Sequence, residues 1–299
     1  MENKAKYLHL AFIFKASNLN YGESVGNILS LKKISCDGKN YSYISRQAIR
    51  YDIVRMLKET FNYDYADVDK KGGVIQFITE ANIEQFPEID FFGYMKTTEG
   101  NKIRKAVVRL TDAVSLESFN NEIDFSTNKG LADRNEELKN SNDIYQSEIH
   151  KSYYSYTITC NLEKIGKDEI DNIDIENKEK AQRLCNLIDV IKLLYRDIRG
   201  KRENLAPLFV IGGLYNVGNP FFYNRLKLSF TKEKTLIDNA LLNDILTLTT
   251  VNNKTVKEQT EIGFLNGIFS NIEDISADKK SIEEFFKGLK DKIKTFYGV

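Results

Sequence analysis

The segment Tyr43-Ile44-Ser45-Arg46-Gln47-Ala48-Ile49-Arg50 has the most chemically suggestive spacing in the chain. A serine ahead of apolar residues at helical spacing caps a helix whose first N–H groups are unpaired and carry partial positive charge, which favours a phosphate. Arg46 and Arg50 then stand one turn apart on one side, where both can flank that phosphate, and Gln47 is free to bond sugar or base edges. A capped surface helix with two exposed arginines explains the same residues equally well. A second basic segment sets Arg196, Arg199, Lys201 and Arg202 against Asp197 alone, at the end of an expected long helix. Cations are favoured there by the helix macrodipole. Yet Arg199-Gly200-Lys201-Arg202 places three cations around a flexible glycine, more than capping needs, which points to ligand contact.

Other motifs carry less. Gly22-Glu23-Ser24-Val25-Gly26 fits G-x-S-x-G, and Ser24, a later Asp and His150 follow the order of an α/β-hydrolase triad. That elbow needs a strand running straight into a tight turn and a helix. Here the first expected strand ends near Phe14, and Asn27 to Asp37 is too short and basic for a buried helix. A serine hydrolase using Ser24 is therefore the disfavoured alternative, and a glycine-containing loop the better reading. Asp67-Val68-Asp69-Lys70-Lys71-Gly72 begins like an EF-hand loop, but Lys71 occupies a ligand position and Ile78 stands where the bidentate glutamate belongs. There is no Walker A, HExxH or RNP1 pattern. His9 and His150 are the only histidines, and Cys36, Cys160 and Cys185 are widely spaced. No metal site, cofactor or disulfide framework is expected, and the cysteine usage suits a reducing, cytoplasmic setting.

The 299 residues hold 43 basic and 43 acidic side chains, so bulk charge does not argue for coating nucleic acid. The charge is sorted along the chain. Residues 31–50 carry Lys32, Lys33, Lys39, Arg46 and Arg50 against Asp37, while acids gather between Glu163 and Glu179. No apolar run reaches the roughly 18–20 residues that span a bilayer, so no membrane partner is expected. Lys4 and Lys6 ahead of Tyr7 to Phe14 mimic a signal peptide, but the stretch is short and contains His9, and no cleavage pattern follows it.

The elements that must position these residues follow from periodicity. Tyr7 to Phe14 is apolar on both faces of a period-2 pattern, which predicts a central strand. Ser45 predicts a helix to about Thr60 with Ile49, Ile53, Met56 and Leu57 inward. Phe61 to Gly100 is broken by Gly72-Gly73, Pro87 and Gly93 and reads as an insertion. Ile103 to Leu110, Tyr154 to Leu162, Leu208 to Ile211 and Leu226 to Phe230 read as strands. Leu184, Leu187, Ile188, Ile191, Leu194, Tyr195 and Ile198 predict a long helix stopping at Gly200, and Ser281 to Phe296 an amphipathic one. The fold class is α+β, a ferredoxin-like βαββαβ plan whose antiparallel sheet carries helices on one face and leaves the other free for a ligand. The palm would comprise 1–60 and 103–240, interrupted by an insertion at 61–102 and an unpatterned excursion at 115–150, with a helical C-terminal segment at 241–299.

Four segments in order resemble the backbone subunits of CRISPR type I effector complexes, in particular the DevR-like branch of type I-B systems. They are Asn18-Leu19-Asn20-Tyr21, Tyr43 to Arg50, Arg109 to Leu116 leading to Asp124-Phe125-Ser126-Thr127-Asn128, and Arg199 to Pro207. The resemblance spans about Tyr7 to Phe230. It implies an RNA-recognition-like (RRM-like) palm with an extended thumb at the 115–150 excursion. Copies would stack along a CRISPR guide RNA (crRNA), alongside other Cascade subunits, and support recognition of target DNA. Carried over by position, Ser45, Arg46, Gln47 and Arg50 would hold guide phosphates, Asn18 and Asn20 would line the same groove, and Arg199, Lys201 and Arg202 would complete it. Type III relatives cut RNA with an acidic loop residue, and Asp37 lies in a comparable loop. Type I backbones are non-catalytic, so no nuclease activity is expected, with an Asp37-dependent RNA-cleaving subunit as the alternative.

Overall fold

Strand β1 (Tyr7–Ser17) is buried at every residue from Leu8 to Phe14, and this double-sided burial organises the fold. The computed structural model describes residues 5–71, 73–97, 101–139, 143–251 and 253–299. Lys4, Gly72 of the EF-hand-like run, Gly100, and the excursion's stretch from Asn140 to Asn142 lie outside the described residues. After β1 come the hairpin of β2 (Tyr21–Val25) and β3 (Ile28–Leu31), the hairpin of β4 (Lys33–Cys36) and β5 (Lys39–Ile44), and helix α1 (Arg46–Phe61). Beyond the insertion lie β6 (Val108–Leu110), β7 (Ala113–Ser115), β8 (Glu122–Thr127), β9 (Ile144–Ile149), the long β10 (Lys151–Asn161) and helix α2 (Asn177–Lys192). There follow a hairpin of β11 (Tyr195–Ile198) and β12 (Lys201–Asn204), then β13 (Phe209–Tyr215) and helix α3 (Asn239–Thr247). The chain ends with β14 (Glu261–Phe264), β15 (Asp278–Ser281) and helix α4 (Ile282–Tyr297).

The main sheet is ordered β15-β14-β13-β1-β10-β7-β5-β4, with β6 also pairing β10. β1 is antiparallel to both neighbours, Leu10 standing opposite Ile158 of β10 and Gly212 of β13. On one face Leu8, Leu10, Phe12 and Phe14 pack with Ile49, Ile53, Met56 and Leu57 of α1, Leu184 to Ile191 of α2, and Phe285, Phe286 and Leu289 of α4. Ser45 caps α1, and Ser281 with Glu284 closes a capping box on α4. The opposite face is not free, contrary to the expectation from the βαββαβ plan. Ala11 and Ile13 are covered by Phe222, Leu242, Ile245 and Leu246, because this second face of β1 also carries apolar residues and these need a core of their own.

Other expectations change as well. α2 ends at Lys192, and Tyr195 and Ile198 belong to a hairpin, not to the helix; Leu194 keeps its buried place without helical geometry. Arg199 and Gly200, at φ 49° and 75°, supply the left-handed pair that a two-residue hairpin turn requires. The 115–150 excursion forms strands β8 and β9, which join β3 and β2 in a separate sheet. Its strand pattern is weak because β8 is exposed at every residue, so neither face is selected for apolarity. Residues 241–299, expected to be helical, supply α3 and α4 and also β14 and β15 at the edge of the main sheet.

Residues 61–102 surround a small core of Ala66, Ala81, Ile83, Ile89 and Tyr94. Buried Asp90 ties it to the rest, bonding Arg104 at 2.8 Å, Arg183 at 3.3 Å and the Gly166 N–H at 2.9 Å. Burial pushes the Asp90 carboxyl up, against the opposing pull of Arg104.

His9 sits in the second core. Its Nε2 accepts the Phe222 N–H at 3.3 Å, so Nδ1 carries the proton and faces Thr159 Oγ1 at 3.1 Å. Burial lowers its pKa from 6.5 to about 4. The unfolded chain therefore binds the extra proton between those values. Stability supplied by the neutral imidazole is complete above pH 6.5 and is lost as pH falls toward 4, about 3 kcal/mol in total. Urea unfolding at pH 7, 5.5 and 4 is expected to show the gap between the natural chain and His9→Asn narrowing by that amount; a constant gap would refute the assignment.

Candidate nucleic-acid interface

The loop after β1, the start of α1 and the β11–β12 hairpin are far apart in sequence and meet at one end of the main sheet. Ser45 accepts the Ala48 N–H at 3.3 Å as the cap of α1, and its hydroxyl also accepts Asn20 Nδ2 at 3.3 Å. Asn20 is buried and works within the fold, and Asn18, in the left-handed region at φ 56°, accepts the His150 N–H at 2.8 Å. Arg196 locks the joint. Its Nε donates to the Leu19 carbonyl at 2.9 Å and its Nη1 to Asp52 of α1 at 2.7 Å. Burial raises the Asp52 carboxyl, and Arg196 followed by Arg55 draws it back. On the neighbouring strand, Glu203 accepts the Ser17 N–H and hydroxyl at 3.2 and 3.1 Å. Arg55 adds a bond to the Tyr195 hydroxyl at 3.0 Å.

The basic side chains at this end are not equivalent. Arg46 and Gln47 are exposed, and the Arg46 guanidinium has no ion-pair partner among the described residues. Arg50 is committed to Glu88 at 3.2 Å and lies 4.8 Å above the Phe92 ring. On the hairpin, Arg199 lies over Tyr21 at 5.3 Å, and both Arg199 and Lys201 are exposed. Arg202 is held in a fork by Asp197 at 2.8 and 2.9 Å and stacks on Tyr195. The outward cations are thus Arg46, Arg199 and Lys201, whereas Arg50 and Arg202 already have carboxylate partners.

Asp112 alters the chemistry expected at the helix start. Its Oδ1 accepts the Arg46 N–H at 2.7 Å, so a protein carboxylate occupies one of the donors proposed for a phosphate. The contact comes from the end of a strand and has no local spacing to announce it. Arg196 stood within the recognised basic segment, and reading Arg199-Gly200 as a turn would have put it opposite Glu203 on a paired strand.

The residues of the two alternative readings are placed as follows. Ser24 lies on hairpin strand β2 and not at a strand-to-helix turn, and His150 Nδ1 is bonded to Ser42 Oγ at 2.7 Å. Asp37 sits at the exposed β4–β5 turn with φ 50°. Among the described residues no group of three His, Cys, Asp or Glu side chains is placed to hold a metal ion. None of their helices is long and apolar enough to cross a membrane.

The comparisons converge. A family model described as CRISPR-associated negative auto-regulator DevR/Csa2 matches residues 8–233. A protein described as CRISPR-associated protein Cas7/Cst2/DevR, from Myxococcus xanthus (strain DK1622), is 26% identical over 163 residues, 49% of this chain and 54% of the relative. The chain thus spans about half the length of that curated relative. Two solved structures share the fold. One, a CRISPR RNA-guided surveillance complex, matches with TM-score 0.59 and 12% identity over 94% of this chain and 99% of the other. The second, described as pre-nicking, matches with TM-score 0.64 and 10% identity over 95% and 100%.

Arg196→Ala leaves Asp52 buried with only Arg55, 3.6 Å away, as a cation partner. The expected loss is about 3 kcal/mol of stability, with faster amide exchange across 18–21 and 195–204, and Arg196→Lys should recover only part of it. Unchanged exchange in those two segments would show that the joint does not depend on this guanidinium.

Proposed function

The chain belongs to the DevR/Csa2 family of CRISPR-associated proteins, and on that premise we propose that it is a guide-binding backbone subunit of a type I-B Cascade-like interference complex. In this reading copies polymerise along the crRNA and support recognition of target DNA, with other Cascade subunits as further partners. Support for reading the palm as RRM-like comes from the order β13-β1-β10-β6/β7, with α1 and α2 in the two crossovers. The β8–β9 excursion is the thumb, and 61–102 is an insertion that docks through Asp90. The observation that carries the proposal is the meeting of three chain segments at one end of the sheet, two of which present exposed polar or cationic side chains. Arg46 and Gln47 come from α1, Arg199 and Lys201 from the hairpin, and Tyr21 lies beneath Arg199. Such an arrangement suits a sugar–phosphate backbone read by shape, while guide–target pairing reads sequence.

The subunit is non-catalytic in this proposal. Binding of single-stranded RNA should fall with salt, and Arg46→Ala with Lys201→Ala should flatten the slope of log K against log salt by about 1.4, about 0.7 for each lost phosphate contact. The loss should be alike for unrelated spacer sequences. Arg50→Ala, which removes a charge already paired with Glu88, should have the smaller effect. An unaltered slope in the double variant would count against the assigned surface. Incubating the assembled complex with matched target RNA and magnesium should yield no cleavage; cuts abolished by Asp37→Ala would establish the nuclease alternative.

A further inference from the structure

A second cationic site lies at the other end of β1, away from the proposed guide surface. A cleft of about 640 Å³ opens beside Tyr7, the first residue of β1, and beside Thr159 and Asn161 at the end of β10. The segment around β6 lines it with Lys105 and Arg109, and the segment after β10 with Lys164 and Lys167. Its acids are largely spent. Glu163 pairs with Lys6 at 2.9 Å, and Asp168 accepts the Tyr94 hydroxyl at 3.0 Å and faces Arg104 at 3.7 Å, leaving Glu169. The cations are not spent to the same degree. Lys105 and Lys164 have no ion-pair partner among the described residues, Arg109 has only a long bond to the Ala106 carbonyl, and Lys167 stands 3.6 Å from exposed Asp174.

The geometry points to this cleft as a binding site for a nucleoside phosphate. Four such cations from two chain segments around one cleft suit a ligand with several negative charges on adjacent groups, and a phosphate chain meets that condition where a single carboxylate does not. The volume falls in the range of small-ligand clefts. Apolar surface for a flat base is present too. Ile103 and Ile170 line the cleft half-exposed, and the Tyr7 ring is backed by Gly218, where an added Cβ would lie 2.9 Å from the ring. Thr159, Asn161 and Glu169 offer polar groups to sugar hydroxyls or base edges. The back wall is rigid because Arg104 is fixed by the buried Asp90. The same chemistry is offered by a free nucleotide and by the 5′-phosphorylated end of a strand.

Calorimetric titration of the nucleic-acid-free full chain separates the two sources. ADP, the 5′-phosphorylated dinucleotide pUpU, unphosphorylated UpU and inorganic pyrophosphate serve as probes. Saturable binding of ADP, weakened about tenfold or more in Lys105→Glu with Arg109→Glu and again in Lys164→Glu, is the result expected for a free nucleotide. The same pattern for pUpU but not ADP assigns a strand end. All three substitutions fall on exposed side chains, so the variants should unfold at the natural midpoint. Arg46→Ala with Lys201→Ala should leave nucleotide binding intact, which keeps this result independent of the guide surface. The proposal is overturned if none of the probes saturates, if pyrophosphate binds as well as both ADP and pUpU, if the cleft variants bind normally, or if the loss follows Arg46 and Lys201.

Discussion

The guanidinium of Arg196 is the constraint on which the proposed guide surface depends. It satisfies a backbone carbonyl in the loop after β1 and a buried carboxylate on α1, while its own strand pairs with Lys201–Asn204. A lysine could supply the charge, but not two bonds in fixed directions. With the three segments pinned, Ser45 can receive Asn20, and the hairpin turn is held where Arg199 covers Tyr21. The partner carboxylate is nearly dry, so this contact is costly to break whatever its net contribution to stability. Local order at this end of the sheet thus adds a polar joint to the apolar core, which itself takes in Leu19, Ile49 and Leu205.

Burial of β1 on both faces decides where ligands can go. A sheet with one open face would offer a broad platform, but here α1, α2 and α4 occupy one side and the region around α3 the other. What remains accessible are the ends of the strands and the loops joining them. The two sites described, around Ser45 and around Tyr7, accordingly lie at opposite ends of the same strand.

Local physics was legible in the sequence, and long-range pairing was not. The cap at Ser45 and the stripe Ile49, Ile53, Met56 and Leu57 depend only on neighbours within two turns, and all four apolar residues are buried as expected. The double-sided apolarity of β1 likewise marked a central strand. The stretch from Leu184 to Ile198 misled because Leu194 is buried for tertiary reasons, so its spacing extended a helical pattern beyond the true end at Lys192. Strands β8 and β9 left no alternating apolar pattern because β8 is exposed throughout and the buried residues of β9, Ser147 and Glu148, are polar. Asp112 and Asp52 could not be placed at all, since their partners lie 66 and 144 residues away.

The same distinction limits what can be read from counting charges. By sequence, Arg46, Arg50, Arg196, Arg199, Lys201 and Arg202 form one basic set. In the fold, Arg50, Arg196 and Arg202 face Glu88, Asp52 and Asp197, so half the set is spent on the protein itself. A polyanion approaching this surface meets a weaker field than the composition suggests, shaped chiefly by Arg46, Arg199 and Lys201. That economy is consistent with a chain of zero formal net charge. Within this set Arg50, Arg196 and Arg202 are neutralised inside the fold, and the three left outward define where an anion can be held without competing against an internal carboxylate.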